Sequence, residues 1–279
     1  MGIYQTHDQG SDAELITAAP AGAGIAFRTG YGMLRHERKY LVPNYLLESL
    51  RSRFSAFVRP DLYSNEDSKG RYQYTVRSIY FDSHDLASYH DKLSGLMYRR
   101  KLRVRGYNHL EPGEEVVLEI KKKLGNRIRK HRTGINYRHL GEVLETGVVE
   151  PYLFKGNGQD PDQALEDAGR FLFHYKSKQL RPTCLVVYER EAYHGKHNPG
   201  IRVTFDKNIR SRIHPELDGL FSDEGLRLLF KSHFILEVKY FENQMPSWIR
   251  SILHEFKLRT EALSKYVIGY DVNRSFAHY

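Results

Sequence analysis

The stretch Lys101-Leu102-Arg103-Val104-Arg105 places a full positive charge at every second residue and an aliphatic side chain between them. Successive side chains of a strand point to opposite faces, so the sheet containing it must offer one face to hydrocarbon and the other to concentrated charge. The pattern recurs along the chain. Glu119, Lys121 and Lys123 alternate with Leu118 and Ile120, and Glu237 and Lys239 alternate with Leu236, Val238 and Tyr240. Arg202, Thr204 and Asp206 alternate with Ile201, Val203 and Phe205, while Glu37 pairs with Lys39, Lys130 with Arg132, and Tyr188 with Arg190.

A half-solvated antiparallel sheet also alternates polar with apolar residues. Faces turned to bulk water would carry the two signs in rough balance, whereas these shared faces are mostly basic. The formal charge of +9 is concentrated: between Arg99 and Arg132 twelve basic residues stand against four acidic ones. That concentration points to a polyanionic partner. A barrel that turned these cations inward would suffer like-charge repulsion and desolvation when empty, which a bound polyanion would relieve. The carboxylates Glu37, Glu119 and Glu237 on the same faces then read as ligands of a hard divalent cation, Mg²⁺ or Mn²⁺, sharing phosphate oxygens.

Composition removes other classes. With 40% hydrophobic residues the chain can bury a sizeable core, and no run approaches the length of a membrane span. Mean hydropathy of −0.60 agrees, so no integral membrane segment is expected. The single cysteine, Cys184, excludes an internal disulfide framework and fits a reducing, cytoplasmic setting. The histidines lack metal-ligand spacing, and no nucleophilic triad is recognisable.

Residues 1–30 read as a flexible lead-in and 31–279 as one α+β domain. Strands are expected over 34–41, 74–81, 98–107, 115–122, 129–137, 183–193, 201–205 and 234–240. Helices are expected after Pro43, from Asp160 to Leu180, and from Pro246 to Phe256, and the stretch 264–270 fits either state. Antiparallel strands on both sides of the long helix would meet in one sheet, and closing that sheet into a barrel would remove its edges.

Eight short motifs, in order, resemble the catalytic domain of the vacuolar transporter chaperone (VTC) polyphosphate polymerases, a branch of the triphosphate tunnel metalloenzymes. They are Arg35-His36-Glu37-Arg38-Lys39-Tyr40, Val76-Arg77-Ser78-Ile79-Tyr80-Phe81-Asp82, Arg100-Lys101-Leu102-Arg103-Val104-Arg105-Gly106-Tyr107 and Leu118-Glu119-Ile120-Lys121-Lys122-Lys123. Tyr188-Glu189-Arg190, Arg202-Val203-Thr204-Phe205-Asp206, Leu236-Glu237-Val238-Lys239-Tyr240 and Ser264-Lys265-Tyr266 complete the set, over about residues 33–271.

The resemblance implies a closed antiparallel β-barrel with a basic tunnel and a few flanking helices. It implies a divalent metal and transfer of the γ-phosphate of ATP to a growing polyphosphate chain. It makes Lys39, Arg103, Arg105, Lys121, Lys130, Arg190 and Lys239 phosphate ligands, with Tyr188 adding a hydroxyl. Glu237 becomes the main metal carboxylate, and Ser264 and Lys265 lie near the transfer end. Lys101, Arg132 and Arg202 join the substrate-binding set through the shared alternation. Where tunnel enzymes outside this branch carry two alternating glutamates before the first-strand lysine, this chain has Arg35 and Glu37. Two other readings use the same residues, a triphosphatase that passes phosphate to water and a non-catalytic polyphosphate-binding module. A nucleic-acid partner is disfavoured, because carboxylates on the basic faces would repel a nucleic-acid backbone.

Overall fold

The computed structural model describes residues 35–276 apart from 62–63, 67–69, 109–114, 126, 155–157 and 242–243, so the lead-in over 1–30 lies outside the described residues. The strands are β1 (His36–Pro43), β2 (Val58–Pro60), β3 (Asn65–Glu66), β4 (Tyr72–Asp82), β5 (Tyr98–Tyr107) and β6 (Glu115–Leu124). They continue with β7 (Arg127–Asn136), β8 (Arg181–Gly195), β9 (Arg202–Ile213), β10 (Arg227–Leu228) and β11 (His233–Tyr240). The helices are α1 (Leu47–Ser55), α2 (Ala87–Leu93), α3 (Leu140–Thr146), α4 (Pro161–Ser177), α5 (Ser247–Glu255) and α6 (Lys265–Phe276). All strand pairs are antiparallel, in the order β1-β11-β9-β8-β4-β5-β6-β7, with β2 on β8, β3 on β4 and β10 on β9.

The alternation of the sequence becomes two differently furnished faces. On the outer face Leu102, Val104, Leu118 and Ile120 pack against Ala168, Phe171 and Leu172 of α4 and Leu140, Val143 and Leu144 of α3. Farther along the same face Tyr40, Val42, Val203, Phe205, Leu236 and Val238 pack against Leu50 and Phe54 of α1 and Ile249, Ile252 and Leu253 of α5. Burial of these side chains, each contributing on the order of 2 kcal/mol, holds helices to sheet and leaves the opposite face free for charge.

Part of the inner face is also apolar. Val76, Cys184, Val186, Ile209 and Ile235 receive Tyr266 and Val267 from α6, which enters the concavity. The helical state of the stretch that fitted either state comes from this docking. Ser264 accepts from Ile268 N at 3.0 Å, Tyr266 donates its hydroxyl to Asp82 at 2.5 Å, and Gly269 lies where a Cβ would stand 3.0 Å from Ser211 Oγ. Asp82 also accepts from the backbone of Ser83, Ser88 and Tyr89 at 2.9–3.0 Å, fixing the start of the short helix α2.

The expectation of a closed barrel is corrected: the sheet is open, because its terminal strands β1 and β7 do not pair. Their free edges find other partners. Glu261 N donates to Lys39 O at 2.8 Å on β1, while Phe154 N donates to Gly134 O at 3.0 Å and Gln159 Nε2 to Arg132 O at 2.8 Å on β7. Each edge is covered by a following chain segment, which satisfies the backbone without closure. Side chains still reach across the gap, with Lys121 Nζ of β6 lying 3.4 Å from Glu37 Oε1 of β1.

Phe171 is fully buried between α4 and the sheet, whereas Phe173 two residues later is exposed. Phe171→Ala should cost about 3–5 kcal/mol of unfolding free energy, and Phe173→Ser less than about 0.5 kcal/mol. Urea midpoints of the two variants check the assignment of faces.

Candidate functional site

Every polar residue singled out from the sequence alternation stands on the inner face or at the start of α6. On β1 and β11 the register places Glu37 opposite Lys239 and Lys39 opposite Glu237. Lys39 Nζ lies 3.2 Å from Glu37 Oε1 and 3.7 Å from Glu237 Oε2, and Lys239 pairs with Glu237. The four charges thus form an alternating patch, with Lys121 attached through Glu37.

The next strands extend it. On β9, Arg202 donates to Asp61 Oδ2 at 2.8 Å and to Tyr74 OH at 3.1 Å. Asp206 accepts two bonds from Arg190 of β8, at 2.6 and 2.8 Å, and one from Lys265 at 2.5 Å. Both cations lie over the ring of Tyr188, at 5.2 and 4.7 Å from its centroid. Across the concavity, Arg103 of β5 donates to Tyr80 OH at 3.0 Å and to Glu119 of β6. Arg132 of β7 takes the second oxygen of Glu119 at 2.8 Å. Arg105 Nε bonds Ser78 Oγ at 3.1 Å, and Lys101 Nζ bonds Ser264 Oγ at 2.8 Å, tying β5 to α6. Lys130 stands opposite Lys121.

The inner face and the first turn of α6 therefore gather eleven cations, Lys39, Lys101, Arg103, Arg105, Lys121, Lys130, Arg132, Arg190, Arg202, Lys239 and Lys265, against the carboxylates Glu37, Asp61, Glu119, Asp206 and Glu237. The excess of six, to which Lys123 at the mouth of the same face adds one, accounts for most of the chain's +9. The sequence pattern alone does not single out Asp206 or Tyr80 as site residues. Alternation with Arg202 and Thr204 places Asp206 on their face, whereas the Tyr80 contact depends on the β4–β5 register, which no local pattern reveals.

Burial opposes every charge here, and neighbours decide which survive. Lys39 is held above its ordinary range because Glu37 and Glu237 outweigh burial. Burial and Glu237 push Glu37 up, but Lys39, Lys239 and Lys121 prevail and keep it well below the usual carboxylate range. Glu237 and Glu119 are held low in the same way, against burial, by Lys239 and Lys39 and by Arg103 and Arg132 respectively. Asp206 is kept at about 2 against burial by Arg190 and Lys265. The lysines with weaker compensation behave oppositely. Burial, then Lys39 and Lys121, push Lys101 down to about 7. Burial and Arg132 push Lys130 well below its ordinary value, and burial brings Lys239 to about 8 despite Glu237.

Arg103 Nε, Arg202 Nε and Thr204 Oγ1 are buried on this face without a hydrogen-bond partner. Buried donors of this kind call for an acceptor. Among the described residues no group of three His, Cys, Asp or Glu side chains is placed to hold a metal ion, so Glu37, Glu119 and Glu237 do not form one ligand set. Glu119 gives its two oxygens to Arg103 and Arg132. Glu37 and Glu237 converge on Lys39, and two hard oxygen donors fit Mg²⁺ or Mn²⁺ where phosphate oxygens and water complete the shell.

The VTC domain family matches residues 34–273. A relative in Saccharomyces cerevisiae, vacuolar transporter chaperone complex subunit 2, is 27% identical over 152 residues, which is 48% of this chain and 18% of that subunit. A candidate adenylate cyclase of Bacillus halodurans aligns with a TM-score of 0.45 at 13% identity, covering 83% of this chain and 96% of the other. A Hippeastrum protein described by a dominant triphosphatase activity aligns with a TM-score of 0.41 at 14% identity, covering 88% and 96%. Among the described residues no helix is long and apolar enough to cross a membrane. By the match over 34–273, the chain belongs to the VTC domain family.

Proposed function

We propose that the inner face holds the triphosphate of ATP and transfers its γ-phosphate to a polyphosphate end. The observation that carries this reading is the surplus of basic over acidic side chains on one enclosed face, with buried donors on Arg103, Arg202 and Thr204 lacking acceptors. ATP brings about four negative charges at neutral pH, fewer than the surplus of basic side chains. An extended chain of phosphates would compensate more of it, which favours polymer synthesis over release of phosphate to water.

Phosphoryl transfer demands chiefly positioning and charge stabilisation. Arg103 is oriented for it by Glu119 and Tyr80, and Arg190 and Lys265 by Asp206. Lys39, Arg105, Lys121, Lys130, Arg132, Arg202 and Lys239 line the path as further phosphate ligands, with Lys101 and Ser264 side by side at the α6 end. A phosphate end is already a nucleophile, so no residue need remove a proton from it. Mg²⁺ or Mn²⁺ held by Glu237 and Glu37 would neutralise charge on phosphate oxygens. Glu119 remains an orienting partner of the arginines.

Purified protein given ATP and Mn²⁺ should form polyphosphate, and Arg103→Ala should lower turnover at least about a hundredfold, the scale of losing an oriented charge donor. Free phosphate as the sole product would favour the triphosphatase, and triphosphate binding without turnover the non-catalytic module. Glu237→Gln should abolish metal-dependent turnover yet leave tripolyphosphate binding in metal-free buffer intact, because it removes a negative charge from the face.

Lys101 yields a pH prediction with a definite sign. In the free protein it is mostly neutral at pH 8, and an adjacent triphosphate favours its ammonium form, so binding takes up protons and weakens as pH rises above about 7. The unfolded chain keeps that proton up to its ordinary 10.5, so this group makes the ligand-free fold more stable as pH rises from about 7 towards 10. Calorimetry of tripolyphosphate binding at pH 8, in buffers of unlike ionisation enthalpy, should register proton uptake that Lys101→Met diminishes; proton release would contradict the assignment.

A further inference from the structure

The rim where β5 begins and β6 ends carries chemistry that the inner face does not use. Of the eleven exposed large hydrophobic side chains among the described residues, five gather here: Leu93, Leu96, Met97, Tyr98 and Leu124, with Met97 at 72% exposure. Leu93 closes α2, Leu96 and Met97 lead into β5, and Tyr98 stands opposite Leu124. Gly125 N donates to Met97 O at 3.0 Å, which fastens the two turns into one protruding knuckle.

Immediately behind the apolar tip come two rungs of like charge, Arg99 opposite Lys123 and Arg100 opposite Lys122. Like charges directly across an antiparallel pair repel. Among the described residues none of the four is ion-paired with a carboxylate, and Asp91 is the sole acidic residue between 91 and 105. Arg99 and Lys123 share the strand face of Lys101 and Lys121 and belong to the mouth of the charged concavity. Arg100 and Lys122 point the other way, towards α4, and cannot serve a ligand held inside. Arg100 Nη1 lies 3.2 Å from His174 Nδ1, and its Nη2 donates to Tyr98 OH at 2.5 Å. The outward charge is felt locally: burial, then Arg100, Lys122 and Lys178, push His174 down to about 4. Phe173 is exposed beside it.

We propose that this knuckle docks the domain on an anionic lipid bilayer, with Leu96, Met97 and Leu124 entering the boundary between headgroups and acyl chains and Arg100, Lys122 and Lys178 meeting lipid phosphates. The tips are formed by two turns held together by the Gly125–Met97 backbone bond. Apolar side chains ringed by Lys and Arg, with a tyrosine at the transition, match a surface that is hydrocarbon within and negatively charged at its border. The docking is independent of the reaction inside, although it would turn the mouth marked by Arg99 and Lys123 towards the lipid.

Sedimentation with phosphatidylcholine vesicles, with and without phosphatidylglycerol, tests it. The protein should bind the anionic vesicles at least about tenfold more tightly than the neutral ones, given several cations at the surface. Met97→Asp with Leu124→Asp, and separately Arg100→Glu with Lys122→Glu, should each remove that binding while the melting curve and tripolyphosphate binding stay unchanged. The milder Met97→Ser with Leu124→Ser serves if the acidic pair fails to fold. Saturating tripolyphosphate should not release the protein from vesicles. Absence of binding, release by tripolyphosphate, or a concentration-dependent dimer abolished by Met97→Asp would each overturn the proposal, the last by assigning the knuckle to a contact between copies.

Discussion

Mutual repulsion among eleven cations on one enclosed face is the constraint around which the fold is arranged. Their charges cannot all be neutralised from within, since only five carboxylates share the face, so stability must come from elsewhere. It comes from the outer face, where two apolar clusters clamp four helices to the sheet. The two faces of one strand therefore perform separate tasks: Leu102 and Val104 hold the strand in place, and Lys101, Arg103 and Arg105 are held. A pattern with period two is the simplest backbone arrangement that separates them so completely.

The few carboxylates matter through position more than number. Four of them span two cations each: Glu119 joins Arg103 to Arg132, Asp206 joins Arg190 to Lys265, Glu37 joins Lys39 to Lys121, and Glu237 joins Lys39 to Lys239. Removing one partner from such a buried pair leaves an uncompensated charge, which costs far more than a surface pair is worth. This orients the guanidinium groups before any ligand arrives. The lysines outside these bridges, Lys101 and Lys130, are instead pushed below their ordinary range by burial and neighbouring cations.

Much of this was legible in the sequence because alternation reports which side chains share a face. The eight long strands, the long helix α4 and the inner carboxylates Glu37, Glu119, Asp206 and Glu237 lie where period and polarity place them. Other features were not, the helices α2 and α3 among them. Whether the sheet closes depends on what covers β1 and β7, and the covering residues, Glu261 on one side and Phe154 and Gln159 on the other, carry no periodic signal. Helix α6, which follows Ser264, mixes Lys265 and Gly269 with aromatics and is stabilised by tertiary contacts to Asp82 and Ser211. The separation of Glu119 from Glu37 and Glu237 arises from strand order, which alternation within each strand does not encode.

An open sheet whose ends meet only through side chains raises the question of what keeps it curled. The Lys121–Glu37 contact at 3.4 Å is partly solvent-exposed, and pairs of that kind contribute at most about 1 kcal/mol. That is small beside a single buried aromatic such as Phe171 or Phe205. Curvature is therefore supported by packing, with α3 and α4 on β5 and β6 and α1 and α5 on β1, β9 and β11 from outside, and α6 on β8 and β9 from within. Since none of these clusters includes inner-face charge, the seam between β1 and the β6–β7 hairpin can exchange its ion pairs for those of a polyanion with no loss of packing.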